Sequence, residues 1–194
     1  MIGFAGLSHL GIVSSIAAAS KGCEVIGFDP NPARCRNLQE GRLEVFEPGL
    51  PELLAASRPR LRWTADASDL GGCALVVLSP DVSTDDENRS ELSTLHQLID
   101  DVIGRISPDA VLVVLSQVPP GFTRRLAAQR ESRHPGAGSS VYYQVETLVL
   151  GRAVERSLHP ERFIVGCPDP AAPLPPSYTA WVGSFGCPIL QIRY

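Results

Sequence analysis

Several things are missing from this 194-residue sequence, and each absence removes a class of function. No apolar run approaches the ~20 residues that a membrane-spanning helix needs, so no membrane partner is expected. There is no excess of positive charge: the formal net charge of -4 argues against nucleic acid or an anionic membrane surface as main partner. No basic segment precedes the first apolar stretch, so no secretory signal is expected. C-x-x-C pairs are absent, and Cys23, Cys35, Cys73, Cys167 and Cys187 are odd in number and scattered. A disulfide framework or zinc site is therefore not expected; incidental or buried thiols in a reducing cytoplasm are. No repeat of solenoid type is visible.

What remains is ordinary for one well-packed globular domain over residues 1–194, with 44% hydrophobic and 20% charged residues. Apolar runs alternate with helix-length amphipathic segments. Residues 1–5 read as a buried strand, 9–20 as a helix stopped at Gly22, and "CEVIGFD" as a second strand. In "NPARCRNLQEG", Asn31 is placed to cap a helix with Pro32 at its first position and Gly41 as its stop. "LRWTAD", "CALVVLS", "DAVLVVLS", "SSVYYQV", "RFIVG" and "CPILQI" read as further strands. Helices are expected in "SELSTLHQLIDDVIGRI" and from Gly121 to about Arg130, and residues 167–177 as an irregular connection. Strand–helix alternation of this kind predicts an α/β fold: a doubly wound, Rossmann-like, mostly parallel sheet with helices on both faces. Such sheets bind ligands beyond the carboxyl ends of their strands.

The first strand runs into "GLSHLG". Gly6, Ser8 and Gly11 fill the three positions of G-x-G-x-x-G, with a serine at the second. Gly6 suits the tight turn, and Gly11 the close packing of helix on strand. The helix N-terminus, through Ser8, His9 and Leu10, would offer N–H donors and a positive dipole end to a pyrophosphate. Asp29 ends the next strand at about the distance of a ribose-binding carboxylate, and its charge favours NAD over NADP. Arg34 lies one helical turn further and is placed to lie along an adenosine.

Longer stretches together resemble the UDP-glucose/GDP-mannose dehydrogenase family. They are "IGFAGLSHLGI", "KGCEVIGFDPNPARCRNLQEG", "FEPGLPELL", "DDENRSELSTL", "SQVPPGFTRRL" and "VETLVLGRAVERSLHPERFIVG", in the family's order over nearly the whole chain. The resemblance implies NAD as cofactor and a nucleotide sugar as substrate, whose primary alcohol is oxidised to a carboxylate in two NAD-dependent steps. It implies that Glu146 matches the glutamate of the family's Pro-Glu motif, an acid/base group in thioester hydrolysis. Val82 and Ser83 stand where the family has Thr-Pro. Gln117 stands for a threonine near the cofactor, Phe122 for another threonine, and Val145 for the proline before the glutamate.

Only the NAD-binding part of the family is matched. The central helical and sugar-nucleotide domains, with the cysteine nucleophile, are expected outside this sequence, as is the helical region through which a full-length homodimer would form. Cys167 and Cys187 lie at strand ends outside any nucleophile motif, so the fragment alone is expected to be inactive. The competing reading is a stand-alone or degenerate Rossmann module that binds a nucleotide without catalysis. A related β-hydroxyacid or 6-phosphogluconate-type dehydrogenase shares the opening fingerprint, but "EPGL" and "VPPG" speak against it.

Overall fold

The computed structural model describes residues 1–87 and 89–194; Asn88, within the "DDENRSELSTL" segment, lies outside the described residues. Eight strands form one sheet: β1 (Ile2–Ala5), β2 (Val25–Phe28), β3 (Leu61–Thr64), β4 (Leu75–Leu78), β5 (Val111–Val114), β6 (Val141–Gln144), β7 (Phe163–Cys167) and β8 (Ile189–Arg193). Their order is β3-β2-β1-β4-β5-β6-β7-β8. Every neighbouring pair is parallel except β6 and β7.

The central strands are continuous apolar runs because both faces are covered. Alternation divides them between two cores. Phe4, Leu75, Val77, Val111 and Val113 point to one cluster, which α1 (His9–Ser20) fills with Val13 and Ile16 and α7 (Pro176–Gly183) with Tyr178 and Trp181. Val76, Leu78, Leu112 and Val114 point to the other, with Leu95, Leu98, Ile99 and Val102 of α4 (Ser93–Ile103) and Leu126 of α5 (Phe122–Arg133). The remaining helices are α2 (Pro32–Gln39), α3 (Leu50–Ser57) and the short α6 (Ala153–Leu158). Asn31 caps α2 as its sequence implies, its side chain accepting from the N–H of Ala33 at 3.0 Å.

Two departures from the sequence reading concern the second half. The connection expected over residues 167–177 is shorter, because Cys167 completes β7 and Pro176 opens α7. A proline at the first helical turn starts a helix as readily as it ends one, and Tyr178, Trp181 and Val182 supply the buried face. The antiparallel β6–β7 step is a feature that the strand–helix alternation did not disclose.

Candidate nucleotide site

The sheet order reverses between β1 and β4, so a crevice opens beyond their carboxyl ends. Gly6 follows β1, Asp29 follows β2, Ser79–Asp81 follow β4, Gln117 lies beyond β5, and Glu146 lies beyond β6. Parallel pairing from β3 to β6 puts all of them along one edge.

The turn after β1 is built around two glycines. Gly6 has φ 91°, and a Cβ there would stand 2.8 Å from the ring of Pro80. At Gly11 a Cβ would fall 1.9 Å from the Gly6 carbonyl oxygen, an impossible overlap. These two residues let the first turn of α1 lie against the loop and aim its N–H groups into the crevice. Ser79, fully buried, braces the loop from β4, its hydroxyl 3.1 Å from the Gly6 carbonyl oxygen. The sequence reading did not single out Ser79; its place after an apolar strand was the available signal.

Asp29 is 4% exposed and holds the loop to β2. Its Oδ2 accepts from the Leu7 N–H at 2.9 Å and from Arg34 Nη1 at 3.0 Å, while Oδ1 accepts from the Asn31 N–H at 3.0 Å. A carboxylate has about four acceptor positions, so roughly one is left for a ribose hydroxyl. Arg34 also pairs with Glu44 at 3.1 Å, which fixes its guanidinium beside Asp29. The structure thus joins Asp29 and Arg34 in one arrangement, with the arginine offsetting much of the aspartate's charge.

Ser8 sits at the N-cap of α1 without its side chain accepting from the helix. Its hydroxyl instead accepts from the Asp81 N–H at 2.7 Å, and the Asp81 carboxylate takes over the cap, accepting from the His9 N–H at 2.9 Å. The His9 ring turns away from this exchange: Nε2 lies 2.8 Å from Glu47 Oε1. Glu47, 2% exposed, also accepts from the N–H groups of Gly151 and Ala153, each at 3.0 Å. Burial pushes its carboxyl up, but those two N–H groups and His9 outweigh it, and the net pKa is lowered. Asp81 and Glu47 were missed by sequence reasoning. Glu47 stood inside the recognised "EPGL"; Asp81 was one residue before the pair singled out.

Val82 is half-buried and packs against the apolar cluster under α4, so it is Asp81 that reaches α1. Gln117 lies at the exposed end of the β5 loop, next to Glu146. Burial pushes the Glu146 carboxyl above its ordinary value; the Gln117 side chain opposes this, and the charge of Asp81 adds to it. Glu146 also accepts from the Leu148 N–H. His9, Leu10, Asp81, Glu146, Leu148 and Leu150 line one cavity of about 300 Å³. Phe122 is buried in the second core, away from this cavity. All five cysteines are free thiols, with burial raising the pKa of each, including Cys167 and Cys187.

A doubly wound sheet, a glycine-built turn at its switch point and a carboxylate ending β2 define a dinucleotide-binding domain. The comparisons narrow this. Residues 1–175 match the UDP-glucose/GDP-mannose dehydrogenase family, NAD binding domain, and the chain belongs to that family. It is 29% identical over 168 residues to the UDP-glucose 6-dehydrogenase of Rickettsia typhi, covering 85% of this chain and 38% of that one. It is 26% identical over 176 residues to the UDP-N-acetyl-D-mannosamine dehydrogenase of Pyrococcus horikoshii, covering 87% and 41%. The fold superposes on a UDP-D-ManNAc dehydrogenase structure from P. horikoshii with a TM-score of 0.86 at 22% identity, covering all of this chain and 47% of the other. A UDP-glucose dehydrogenase structure from Pyrobaculum islandicum gives 0.83 at 24%, with 99% and 46% covered. The chain thus spans less than half the length of these relatives.

NAD is the cofactor of this family, and the site fits it in shape. The turn leaves no room for a Cβ at Gly6 or Gly11, the α1 N-terminus faces the crevice, and Asp29 keeps an acceptor position for a ribose. The Asp81 carboxylate at the α1 N-terminus is out of keeping with a bound pyrophosphate.

Proposed function

We propose that this chain is the cofactor-binding part of an enzyme that oxidises the C6 alcohol of a UDP- or GDP-sugar to the uronate in two NAD-dependent steps. The cavity shared by the α1 N-terminus and Glu146 carries this reading, because it brings a phosphate cradle and an acid/base carboxyl to one opening. NAD⁺, when bound, supplies the hydride acceptor. Gly6 and Gly11 shape the cradle, Ser8, His9 and Leu10 line it, Asp29 receives a ribose hydroxyl and Arg34 borders the adenosine. Val82 supports the β4 loop from beneath, and Gln117 orients Glu146. Glu146, its pKa raised by burial, is the group that exchanges a proton, at its carboxyl oxygens. The substrate sugar and the cysteine nucleophile belong to further domains, through which the whole protein forms a homodimer. Cytoplasmic residence accords with the five free thiols and with the absence, among the described residues, of any helix long and apolar enough to cross a membrane.

Calorimetric titration with NAD⁺ tests the cofactor site. Saturable binding that vanishes in Asp29→Ala supports it, and no binding at millimolar NAD⁺ overturns it for this chain. One observation favours the second reading, a stand-alone or degenerate Rossmann module without catalysis: the Asp81 carboxylate already occupies the His9 N–H. A full-length protein that binds NAD⁺ but turns over no nucleotide sugar decides for that reading.

A further inference from the structure

Three observations converge on the start of α1. The His9 N–H, at the first position of the helix, donates to Asp81 Oδ2 at 2.9 Å. The Asp81 backbone is held in place for this by the Ser8 hydroxyl at 2.7 Å, and that hydroxyl lies 3.4 Å from the Ser79 carbonyl oxygen. Asp81 is also exposed, on a loop that begins where β4 ends, at the rim of the crevice between β1 and β4.

An anion at a helix N-terminus uses the N–H groups and dipole that would otherwise hold a phosphate. Ser8 and Asp81 therefore act as a unit: the residue at the second glycine position bonds the segment that carries the carboxylate into the cradle. We propose that Asp81 is a resident anion in the phosphate cradle, so that a dinucleotide binds only as the Asp81 carboxylate swings out. This inference rests on the NAD reading above. It assigns a limit on affinity to the Asp81 carboxylate. Because Asp81 is exposed, leaving the cradle returns its carboxylate to water, so the site is gated rather than closed.

The groups facing Asp81 set the size of the effect. On α1 they are the His9 N–H and the Ser8 hydroxyl; across the cavity they are Glu146 and the His9 ring. Neutralising Asp81 removes both a competitor for the donor and a like charge beside the phosphates. An isolated charge contact of this kind near a surface corresponds to about a tenfold change in affinity.

The experiment titrates this chain and its Asp81→Asn and Asp81→Ala variants with NAD⁺, and separately with adenosine, each variant first shown to be folded by its circular dichroism and melting curve. The expected result is about tenfold tighter NAD⁺ binding in both variants with adenosine binding unchanged, which places the gain at the phosphates. Without ligand, Asp81→Ala should melt slightly lower, since α1 loses its cap, while the NAD⁺-induced rise in melting temperature grows. Equal NAD⁺ affinity in wild type and both variants overturns the inference and leaves the cofactor reading standing. No NAD⁺ binding by any of the three at millimolar concentration overturns both. A gain that appears equally with adenosine also overturns it, because the effect would then not concern the phosphate cradle.

Discussion

The imidazole of His9 and the carboxylate of Glu47 meet at 2.8 Å, joining the start of α1 to the loop ahead of α3. The same carboxylate receives the N–H groups of Gly151 and Ala153, so one buried side chain fastens three segments around the cavity. Its removal would leave two backbone donors and an imidazole without their acceptor.

Glu47→Ala is therefore expected to destabilise the domain by about 3 kcal/mol, read from urea unfolding. The pH dependence gives a sharper check. The folded pKa of Glu47 is lowered, so its contribution is present above the ordinary glutamate value and is lost as pH falls through the lowered one. The stability gap between wild type and Glu47→Gln should accordingly shrink on acidification. A gap independent of pH would mean that the carboxylate's charge plays no part.

Gly11→Ala tests the cradle itself. A Cβ 1.9 Å from the Gly6 carbonyl oxygen cannot be accommodated without moving α1 off β1. The expected loss is more than about 3 kcal/mol, with the variant accumulating as insoluble protein or melting far below wild type. Ser8→Gly, by contrast, should fold normally, since it removes only the hydroxyl contacts to Asp81 and Ser79. A Gly11→Ala variant with wild-type stability would show that the loop packs otherwise.

Asp29 combines binding with structure, and its variants should show both. In Asp29→Ala the Leu7 and Asn31 N–H groups and Arg34 lose their acceptor at a site 4% exposed. A loss of about 2–4 kcal/mol is expected together with the loss of NAD⁺ binding. Asp29→Asn keeps one acceptor oxygen where two oxygens served three donors, so it should fall between. Full stability in Asp29→Ala would assign the carboxylate to the ligand alone.

The parts of this molecule written in local pattern were legible from the sequence. The buried strands are unbroken apolar runs, α2 carries its Asn31 cap and Pro32, and Gly6, Gly11 and Asp29 stand at the spacing of a dinucleotide turn. What was not legible depends on segments far apart in the chain. Asp81 reaches the His9 N–H across 72 residues, and nothing in "SPDVS" announces which residue of the turn points at α1. Glu47 lies 104 residues from Gly151, so "EPGL" was visible as a motif without its partner. The β6–β7 reversal rests on two register pairs, Tyr143 with Gly166 and Gln144 with Val165, and strand direction leaves no mark on composition. The helix at Pro176 was within reach, because Tyr178, Trp181 and Val182 have helical spacing, but the prolines around it obscured that signal.

Glu146 provides the last test, because its environment links the cradle to the chemistry. Burial raises its pKa, and the charge of Asp81 across the cavity raises it further. A raised carboxyl pKa means that the folded state resists ionising this group. Stability contributed by its protonated form is therefore full below the ordinary glutamate value and declines as pH rises through the elevated one. Glu146→Gln, which cannot ionise and still accepts from the Leu148 N–H, should match wild type in acid and become the more stable of the two as pH rises. Carbon-detected NMR of the Glu146 carboxyl should show its midpoint above that of exposed glutamates, and Asp81→Asn should bring it down. A midpoint that does not respond to Asp81→Asn would separate the two carboxylates, and proton exchange at Glu146 would then be independent of what occupies the phosphate cradle.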